Sequence, residues 1–225
     1  MENLKEILSY FEIPDGAYEF EIISNGLIND TFLVREGTIS TYILQKINTS
    51  VFKNVNGLVN NLSSVLPLLR HAAYAEIRLI KTKKGEPMLD HQKEIWRLMN
   101  YIPECQVFNT TRDVHIAFET GKILGLFHKL LTIGQPKDLE ITIEDFHNLA
   151  CRYEQFLEAY EQAKADHLKN AHREIDFVKR NIAELLSIEF DKLPLRICHN
   201  DTKLNNVLFS VDKKALCLID LDTIM

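Results

Sequence analysis

The segment from Arg196 to Phe209 reads RICHNDTKLNNVLF and is the most informative part of the chain. It contains the pattern H-x-D-x-x-x-x-N, formed by His199, Asp201 and Asn206, between two short apolar runs. A further apolar run follows and ends in two aspartates, ALCLIDLD over 215–222. The segment therefore predicts a polar loop held between short strands, with acidic side chains after the last strand.

These residue types, in this order, suit the chemistry of phosphoryl transfer. H-x-D-x-x-x-x-N is the spacing of a kinase catalytic loop. Asp201 could orient or accept the proton of an attacking hydroxyl, and Lys203 could lie against the transferred phosphoryl group. Asn206 and Asp220 offer the oxygen ligands that Mg²⁺ prefers. The alternative is a solvated turn after a strand, in which His, Asn and Asp are all common.

Composition excludes several classes of protein. The 225 residues carry 26 Lys and Arg against 32 Asp and Glu, a net charge of −6 without a concentrated basic run, so we expect no nucleic-acid partner. No apolar run approaches the ~18–20 residues of a membrane span, so we expect no membrane association. The four cysteines form no C-x-x-C pair, which predicts reduced thiols, no structural zinc and a cytoplasmic location.

Hydrophobic periodicity divides the chain into a sheet-rich first part and a helix-rich second part. The first part is predicted to contain helices over 4–11 and 55–69 and strands over 18–22, 31–35, 41–47, 76–81 and 94–101. The second part is predicted to contain helices over 120–131, 143–165 and 173–188 and strands over 195–198, 207–209 and 215–219. The first three strands have short connections, which predicts an antiparallel meander.

The segment from His199 to Asp222 resembles the catalytic segment of the aminoglycoside phosphotransferase-like kinases. Within that group the chain is most similar to the N-acetylhexosamine 1-kinases, which phosphorylate the anomeric hydroxyl of N-acetylglucosamine or N-acetylgalactosamine. The supporting segments follow in the family's order and are NGLINDTF (25–32), YILQKIN (42–48), LGLFH (124–128) and DFHN (145–148).

The resemblance implies a two-lobed, protein-kinase-like α+β fold. An antiparallel-sheet, nucleotide-binding lobe would cover 1–102, and a mainly helical catalytic lobe would cover 103–225. The implied enzyme uses ATP and Mg²⁺ to transfer the γ-phosphate to a sugar hydroxyl. Two alternatives stay open: a kinase for another small hydroxyl compound (an aminoglycoside, choline or homoserine) and a catalytically inactive, kinase-like binding module.

The resemblance also implies roles for the polar loop residues. Asp201 and Lys203 would be catalytic, and Asp201 would also contact the acceptor. Asn206 and Asp220 would hold the metal ion. Between the first two strands, a phosphate-covering turn would use four residues: Asn25, Gly26, Asn29 and Thr31. Because this turn has a single glycine, a plain hairpin turn is the alternative.

A basic residue on the third strand should reach the nucleotide phosphates. Side chains alternate between the faces of a strand, so only one of Gln45 and Lys46 points into the cleft. Lys46 is the only cation of YILQKIN, and we favour it. The predicted helix over 55–69 contains no Glu to pair with a lysine, so either Asn60 or Asn61 substitutes by hydrogen bonding or the lysine is held differently.

Two further sets of contacts follow from the resemblance. Backbone groups around Met99 and Tyr101, on a hinge strand, would hydrogen-bond the adenine of ATP. His147 and Asn148 would open an insertion whose polar side chains contact sugar hydroxyls. For a lone histidine, a structural role is the alternative.

The chain ends three residues after Asp222, whereas members of the resembled family continue with further helices. We therefore expect a C-terminally truncated chain with an exposed apolar surface on its helical lobe. Such a surface would favour self-association, and the truncation could leave the chain inactive.

Overall fold

The computed structural model describes residues 2–23, 28–189 and 192–225. The chain divides into two compact units, one comprising Met1–Ile143 with Arg196–Met225 and the other comprising Glu144–Leu195. The predicted sheet lobe over 1–102 lies wholly within the first unit. The predicted lobe boundary at residue 102 stays a prediction.

An antiparallel sheet forms much of the first unit. In the described part of the chain its strands are β1 (Tyr18–Ile23), β2 (Asp30–Glu36), β3 (Ile39–Ile47), β4 (Leu79–Ile80), β5 (Leu89–His91) and β6 (Glu94–Asn100). They run in the order β1-β2-β3-β6-β4, and β5 also pairs with β6. The predicted three-stranded meander is confirmed. The strand predicted over 76–81 is reduced to β4, and β5 was not predicted.

Packing on the two faces of this sheet decides to which side each side chain of β3 points. On one face, α1 (Glu2–Ser9) contributes Ile7 and Leu8 to a core that contains Leu44 of β3. Ile47 of β3 instead joins the larger core together with Leu58 of α2 (Val55–Val65). Leu44 has no exposed surface, and burying such a side chain contributes about 1.5–3 kcal/mol. Because side chains alternate between the two faces of a strand, this burial fixes the face to which every other side chain of β3 points.

A second, smaller sheet contains the strands that follow the H-x-D-x-x-x-x-N pattern. Its strands are β7 (Cys105–Gln106), β8 (Val207–Ser210) and β9 (Ala215–Leu218), in that order. The predicted strands over 207–209 and 215–219 are confirmed. The strand predicted over 195–198 is wrong, because these residues belong to neither sheet. Cys198 nevertheless exchanges two backbone hydrogen bonds with Met225, at 3.0 and 3.2 Å.

The long helix α3 (Val114–Leu130) supports the second sheet, with Ile123 and Phe127 buried in the larger core. Its start lies before the predicted residue 120, because the Asp113 side chain accepts a hydrogen bond from the His115 N–H at 3.0 Å and caps the helix. On the opposite surface, Phe118 of α3 is 67% exposed. Self-association through such apolar side chains stays a prediction.

The second unit is helical and contains α4 (Leu149–Gln162), α5 (Ala165–Asn170) and α6 (His172–Leu186). Helix α4 begins at Leu149, because Asn148 caps it by accepting a hydrogen bond from the Cys151 N–H at 3.2 Å. The helix predicted to start at 143 is therefore shorter than expected. None of the helices in the described ranges is long and apolar enough to cross a membrane.

Candidate active site

The polar loop before β8 is built around His199, which is 1% exposed. The hydrogen-bond network assigns a neutral ring whose Nε2–H donates to the carbonyl of Ile219 at 2.8 Å, while Nδ1 accepts from the backbone N–H of Asp201 at 3.2 Å. Burial lowers the pKa of His199, which favours the same neutral form. His199 therefore links the loop to the end of β9 and positions Asp201.

Three predicted site residues meet in this loop. The Lys203 Nζ donates to Asp201 Oδ2 at 2.7 Å. The Nδ2 group of the buried Asn206 donates to the carbonyl oxygen of Asp201 at 2.8 Å and to its Oδ2 at 3.0 Å. Because these side-chain bonds fall on Oδ2, the Oδ1 atom of Asp201 is the oxygen better placed to accept a proton. Asn206 retains its Oδ1 as a possible metal ligand.

Asp220 lies next to Asn206. It follows β9 in the left-handed conformation, with φ 60° and ψ 54°, which few residues other than glycine adopt. The N–H of the preceding Ile219 donates to the carbonyl of Asn206 at 2.8 Å, so the two segments are hydrogen-bonded at this point. Asp220 and Asn206 line the same cavity.

The environment of Asp220 opposes its negative charge. Its carboxylate is accessible to water in the cavity, but surrounding protein removes part of its hydration. This desolvation is the largest cause that raises the pKa of Asp220 to about 6, and the nearby charge of Asp222 acts in the same direction. The positive charges of Arg97 and Lys203 lower the pKa. A bound cation would favour the ionised form in the same way.

The donor set fits Mg²⁺. The carboxylate of Asp220 and the Oδ1 of Asn206 are hard oxygen ligands, which Mg²⁺ prefers, and a cation would offset the raised pKa of Asp220. Across residues 2–23, 28–189 and 192–225, no group of three His, Cys, Asp or Glu side chains is arranged to hold a metal ion. Mg²⁺ would therefore take its remaining ligands from water or from a bound phosphate, as it commonly does.

A cavity of about 480 Å³ opens beside these residues, a volume typical of small-molecule sites. The lining changes from polar to apolar along both strands, from Arg97 to Met99 on β6 and from Gln45 to Ile43 on β3. One end of the cavity is therefore polar and adjoins Asp220, while the other end is apolar. Such a cavity can hold a molecule with a flat apolar part and a charged tail.

The predicted hinge residues lie at the apolar end of the cavity, where Met99 and Tyr101 are part of the lining. The backbone N–H groups of Asn100 and Tyr101 are already engaged, donating to the carbonyls of Arg78 at 3.2 Å and Thr41 at 3.0 Å. A base in this cavity could not accept hydrogen bonds from those two groups without breaking the sheet. Contact of Met99 and Tyr101 with adenine stays a prediction.

The prediction that Lys46 faces the cleft is wrong. Because Leu44 is buried on the α1 face, Lys46 also points to that face, where it forms an ion pair with Glu94. Its Nζ lies 6.0 Å from the ring centroid of Trp96. Gln45 points into the cavity instead.

Two residues of the site, Arg97 and Asp222, were not predicted from the sequence. Arg97 lies opposite Gln45 in the β3–β6 register. Its Nε and Nη2 donate to Gln45 Oε1 at 2.9 and 2.7 Å, and Nη1 and Nη2 donate to the carboxylate of Asp222. Asp222 also accepts from Asn29 Nδ2 at 2.7 Å, and Gln45 Nε2 donates to Thr31 Oγ1 at 2.9 Å. The signal for Arg97 was an arginine within the apolar strand EIWRLMN.

Of the two options for holding Lys46, the second applies, because Glu94 pairs with it and Asn60 and Asn61 of α2 have other partners. Asn61 has no exposed surface and donates to the carbonyls of Glu140 at 2.7 Å and Ile224 at 2.9 Å, while its Oδ1 accepts from the Glu140 N–H at 2.8 Å. Asn60 donates to the Glu140 carboxylate at 2.8 Å. The bond to Ile224 anchors α2 to the segment that follows Asp222, and the other bonds anchor it to Glu140.

The remaining predicted phosphate contacts lie before β2 and at its start. Asn29 and Thr31 line the polar end of the cavity, and Asn29 Oδ1 also accepts from the Asn48 N–H at 2.9 Å. Asn25 and Gly26 lie outside the described residues. The phosphate-covering role of this segment stays a prediction.

The predicted sugar contacts, His147 and Asn148, belong to the second unit. Asn148 uses its Oδ1 to cap α4 and its Nδ2 to donate to Asp145 Oδ1 at 2.8 Å. The ring of His147 lies 4.4 Å from that of Phe146, measured between centroids. The structure thus gives Asn148 a local structural role, and the sugar contacts of both residues stay predictions.

The sheet with its cavity, the H-x-D-x-x-x-x-N loop and the acidic turn after β9 are the features of a kinase-like phosphotransferase. A family model described as "Phosphotransferase enzyme family" (APH) matches residues 19–225. The chain therefore belongs to this family, and the predicted enzyme class, a phosphotransferase acting on a hydroxyl group, is confirmed.

Solved structures share this fold. The spectinomycin phosphotransferase APH(9)-Ia, in complex with ADP and spectinomycin, is 17% identical with a TM-score of 0.64, and the match covers 100% of this chain and 69% of that chain. APH(2")-IIia with GDP and kanamycin is 14% identical with a TM-score of 0.66, covering 99% and 73%. An aminoglycoside phosphotransferase from Alicyclobacillus acidocaldarius is 14% identical with a TM-score of 0.60, covering 98% and 66%. The predicted kinase-like α+β fold is confirmed, and this chain spans about two thirds of those chains' lengths.

Proposed function

We propose that this chain carries the site of an ATP- and Mg²⁺-dependent kinase that transfers the γ-phosphate to a sugar hydroxyl. The observation that supports it is that Lys203, Asn206 and Asp220 line the polar end of a cavity whose other end is apolar. Asp201 is hydrogen-bonded to Lys203 and Asn206 beside this end. An apolar slot suits a purine, and the polar end suits its phosphates. The ADP and GDP in the similar solved structures support nucleotide binding.

The loop residues have distinct tasks in such a transfer. Asp201 receives or orients the proton of the acceptor hydroxyl, and the two hydrogen bonds from Asn206 keep its carboxylate in place. Lys203 has an exposed side chain and can reach an incoming phosphoryl group, whose negative charge it stabilises. Asn206 and Asp220 would hold Mg²⁺, which when bound neutralises charge on the phosphate oxygens.

The acceptor that we propose is an N-acetylhexosamine, phosphorylated at its anomeric hydroxyl. This finer assignment rests on the segments over 25–32, 42–48, 124–128 and 145–148, which resemble those of N-acetylhexosamine 1-kinases. It would place the protein in carbohydrate metabolism in the cytoplasm, with a small sugar as its partner. The similar solved structures contain spectinomycin or kanamycin, so an aminoglycoside is the acceptor to compare with it.

One observation favours a second function, a kinase-like module that binds nucleotide without turnover. The cavity-facing position of β3 holds the neutral Gln45, and α2, of sequence VNGLVNNLSSV, contains no acidic residue. The lysine and glutamate that protein kinases pair at these positions are therefore both replaced. Nucleotide binding without acceptor-dependent ADP release would identify such a module.

The test is an assay of ADP release from ATP and MgCl₂ over a panel of acceptors: N-acetylglucosamine, N-acetylgalactosamine, glucose, kanamycin, choline and homoserine. We expect release that depends on an N-acetylhexosamine, with a sugar 1-phosphate product seen by ³¹P NMR. Asp201→Asn should abolish it, and Asp212→Asn, on the exposed turn between β8 and β9, should not. ADP release at the same rate without any acceptor would contradict the proposal.

A further inference from the structure

The proposed nucleotide site lacks a cation where kinases usually place one. Protein kinases hold the nucleotide phosphates with a lysine on the third strand. Here Gln45 takes the cavity-facing position of β3, and Lys46 points to the opposite face with Glu94 as its partner. A triphosphate in this cavity needs a positive charge from another element.

We propose that Arg97 of β6 is the phosphate-binding cation of this site, a role that rests on the proposed nucleotide-binding function. Arg97 lies directly opposite Gln45 in the β3–β6 register, and hydrogen-bonded strands lie about 4.8 Å apart. Its Nε and Nη2 both contact Gln45 Oε1, at 2.9 and 2.7 Å. The guanidinium group therefore sits over the end of the side chain that occupies the usual lysine position.

The guanidinium group is held by four hydrogen bonds, and one of its N–H groups has no partner among the described residues. Of its five N–H groups, two donate to Gln45 and two to Asp222. The second N–H of Nη1 has no partner among the described residues, and Arg97 is part of the cavity lining. Because Gln45 and Asp222 fix the group before any ligand arrives, a phosphate oxygen would meet a pre-oriented donor at little entropic cost.

The distribution of charge points to the same residue. Within the described part of the chain, Arg97 and Lys203 are the only cationic side chains that line the cavity. Lys203 contacts Asp201 and so belongs to the acceptor end of the site, 2.7 Å from Oδ2. Arg97, whose charge the buried Asp222 partly offsets, is therefore the cation left for the phosphates nearer the purine.

Calorimetric titration with ADP and, separately, with adenosine tests this role, with MgCl₂ in excess. Arg97→Gln alone would leave the buried Asp222 carboxylate unpaired, so the main variant is the double substitution Arg97→Gln with Asp222→Asn. We expect its dissociation constant for ADP to rise about 10- to 100-fold and that for adenosine to stay within about twofold. Asp222→Asn alone is titrated beside it, because Asp222 also holds Asn29 of the cavity lining, and only the additional loss in the double variant is assigned to Arg97.

Lys46→Gln is the matched control, because it removes a cation from the neighbouring position on the other face of the same sheet. It should leave the affinity for both ligands unchanged. Thermal unfolding followed by circular dichroism checks that each variant is folded. If the double variant does not fold, Arg97→Lys keeps the charge but loses the planar group, and the ADP constant should then rise about three- to tenfold.

The outcomes separate this role from the proposed function. Wild-type protein that does not bind ADP more tightly than adenosine would contradict the nucleotide-binding function itself. Wild-type protein that prefers ADP, with a variant that keeps the whole preference, would overturn the role of Arg97 alone. An equal loss for ADP and adenosine would also overturn it, because Arg97 would then only support the fold.

Discussion

A single amide nitrogen of Asn206 holds Asp201 at two points, 2.8 Å from its carbonyl oxygen and 3.0 Å from its Oδ2. In the proposed function, the Oδ1 of the same side chain would bind a cation shared with Asp220. Asn206 therefore couples the orientation of the proposed base to the position of the proposed metal ion. Disturbing one end of this amide should separate the two tasks.

Asn206→Asp makes that separation. The variant keeps an oxygen for the metal but replaces the donor facing Asp201 with a second carboxylate oxygen, which repels the first. We expect kcat to fall about 100-fold or more, while the Mg²⁺ concentration for half-maximal activity stays within about threefold. Asn205→Asp adds the same charge one residue earlier and should cost less than about tenfold. Similar losses in both variants would show that added charge alone is responsible.

Asp220→Asn tests the metal ligand directly. The amide retains an oxygen but loses the negative charge that attracts Mg²⁺, so the half-saturating Mg²⁺ concentration should rise about tenfold or more and kcat should fall sharply. Activity measured over a Mg²⁺ titration checks this. Asp90→Asn, at an exposed position of β5, is the control. An unchanged Mg²⁺ requirement in Asp220→Asn would exclude this residue as a ligand.

Asn61→Ala should destabilise the protein. The substitution removes three buried hydrogen bonds, to the N–H and carbonyl of Glu140 and to the carbonyl of Ile224. Leaving such a buried group without a partner costs about 1–3 kcal/mol. Because the surrounding structure relaxes in part, we expect the free energy of unfolding to fall by about 2–4 kcal/mol in total. Urea unfolding measures this free energy. The exposed neighbour provides the control, since Asn60→Ala should cost less than about 1 kcal/mol, and equal effects would show that the buried bonds do not matter.

The polar loop of the candidate site could be predicted because its contacts are local. Asp201, Lys203 and Asn206 lie within six positions of one another, so their spacing largely fixes their meeting. The apolar runs around them also predicted β8 and β9. The strands predicted over 195–198 and 76–81 were wrong or too long. A few apolar residues do not distinguish a strand from other buried backbone.

The orientation of β3 could not be predicted from its own sequence. Apolar residues occupy both alternating sets, with Tyr42 and Leu44 in one and Ile43 and Ile47 in the other. Only the packing of α1 against Leu44 decides the faces, and that packing is tertiary. Placing the only cation of the strand in the cleft was therefore a choice without a local signal.

The ion pair of Arg97 and Asp222 was missed because its partners are 125 positions apart. A buried arginine must be paired, so the arginine within an apolar strand did signal a hidden carboxylate. Several acidic residues could have met that need, and the sequence does not rank them. The fold selects Asp222 by bringing the turn after β9 beside β6.

His199 should make the stability of the protein sensitive to acid. Burial lowers the pKa of His199, and the charges of Asp201 and Asp222 oppose this shift only in part. The folded chain therefore binds a proton at His199 less readily than the unfolded chain, where the pKa is near the usual 6.5. Below that pH the unfolded chain takes up more protons, so the free energy of unfolding should fall as the pH decreases. The uptake of one proton changes the free energy of unfolding by at most about 1.4 kcal/mol per pH unit. Urea unfolding from pH 7.5 to 5.5 should show a shallower decline in His199→Gln than in wild type, while His115→Gln, at an exposed position, should follow the wild type. Identical slopes in all three proteins would show that His199 is not held neutral by the fold.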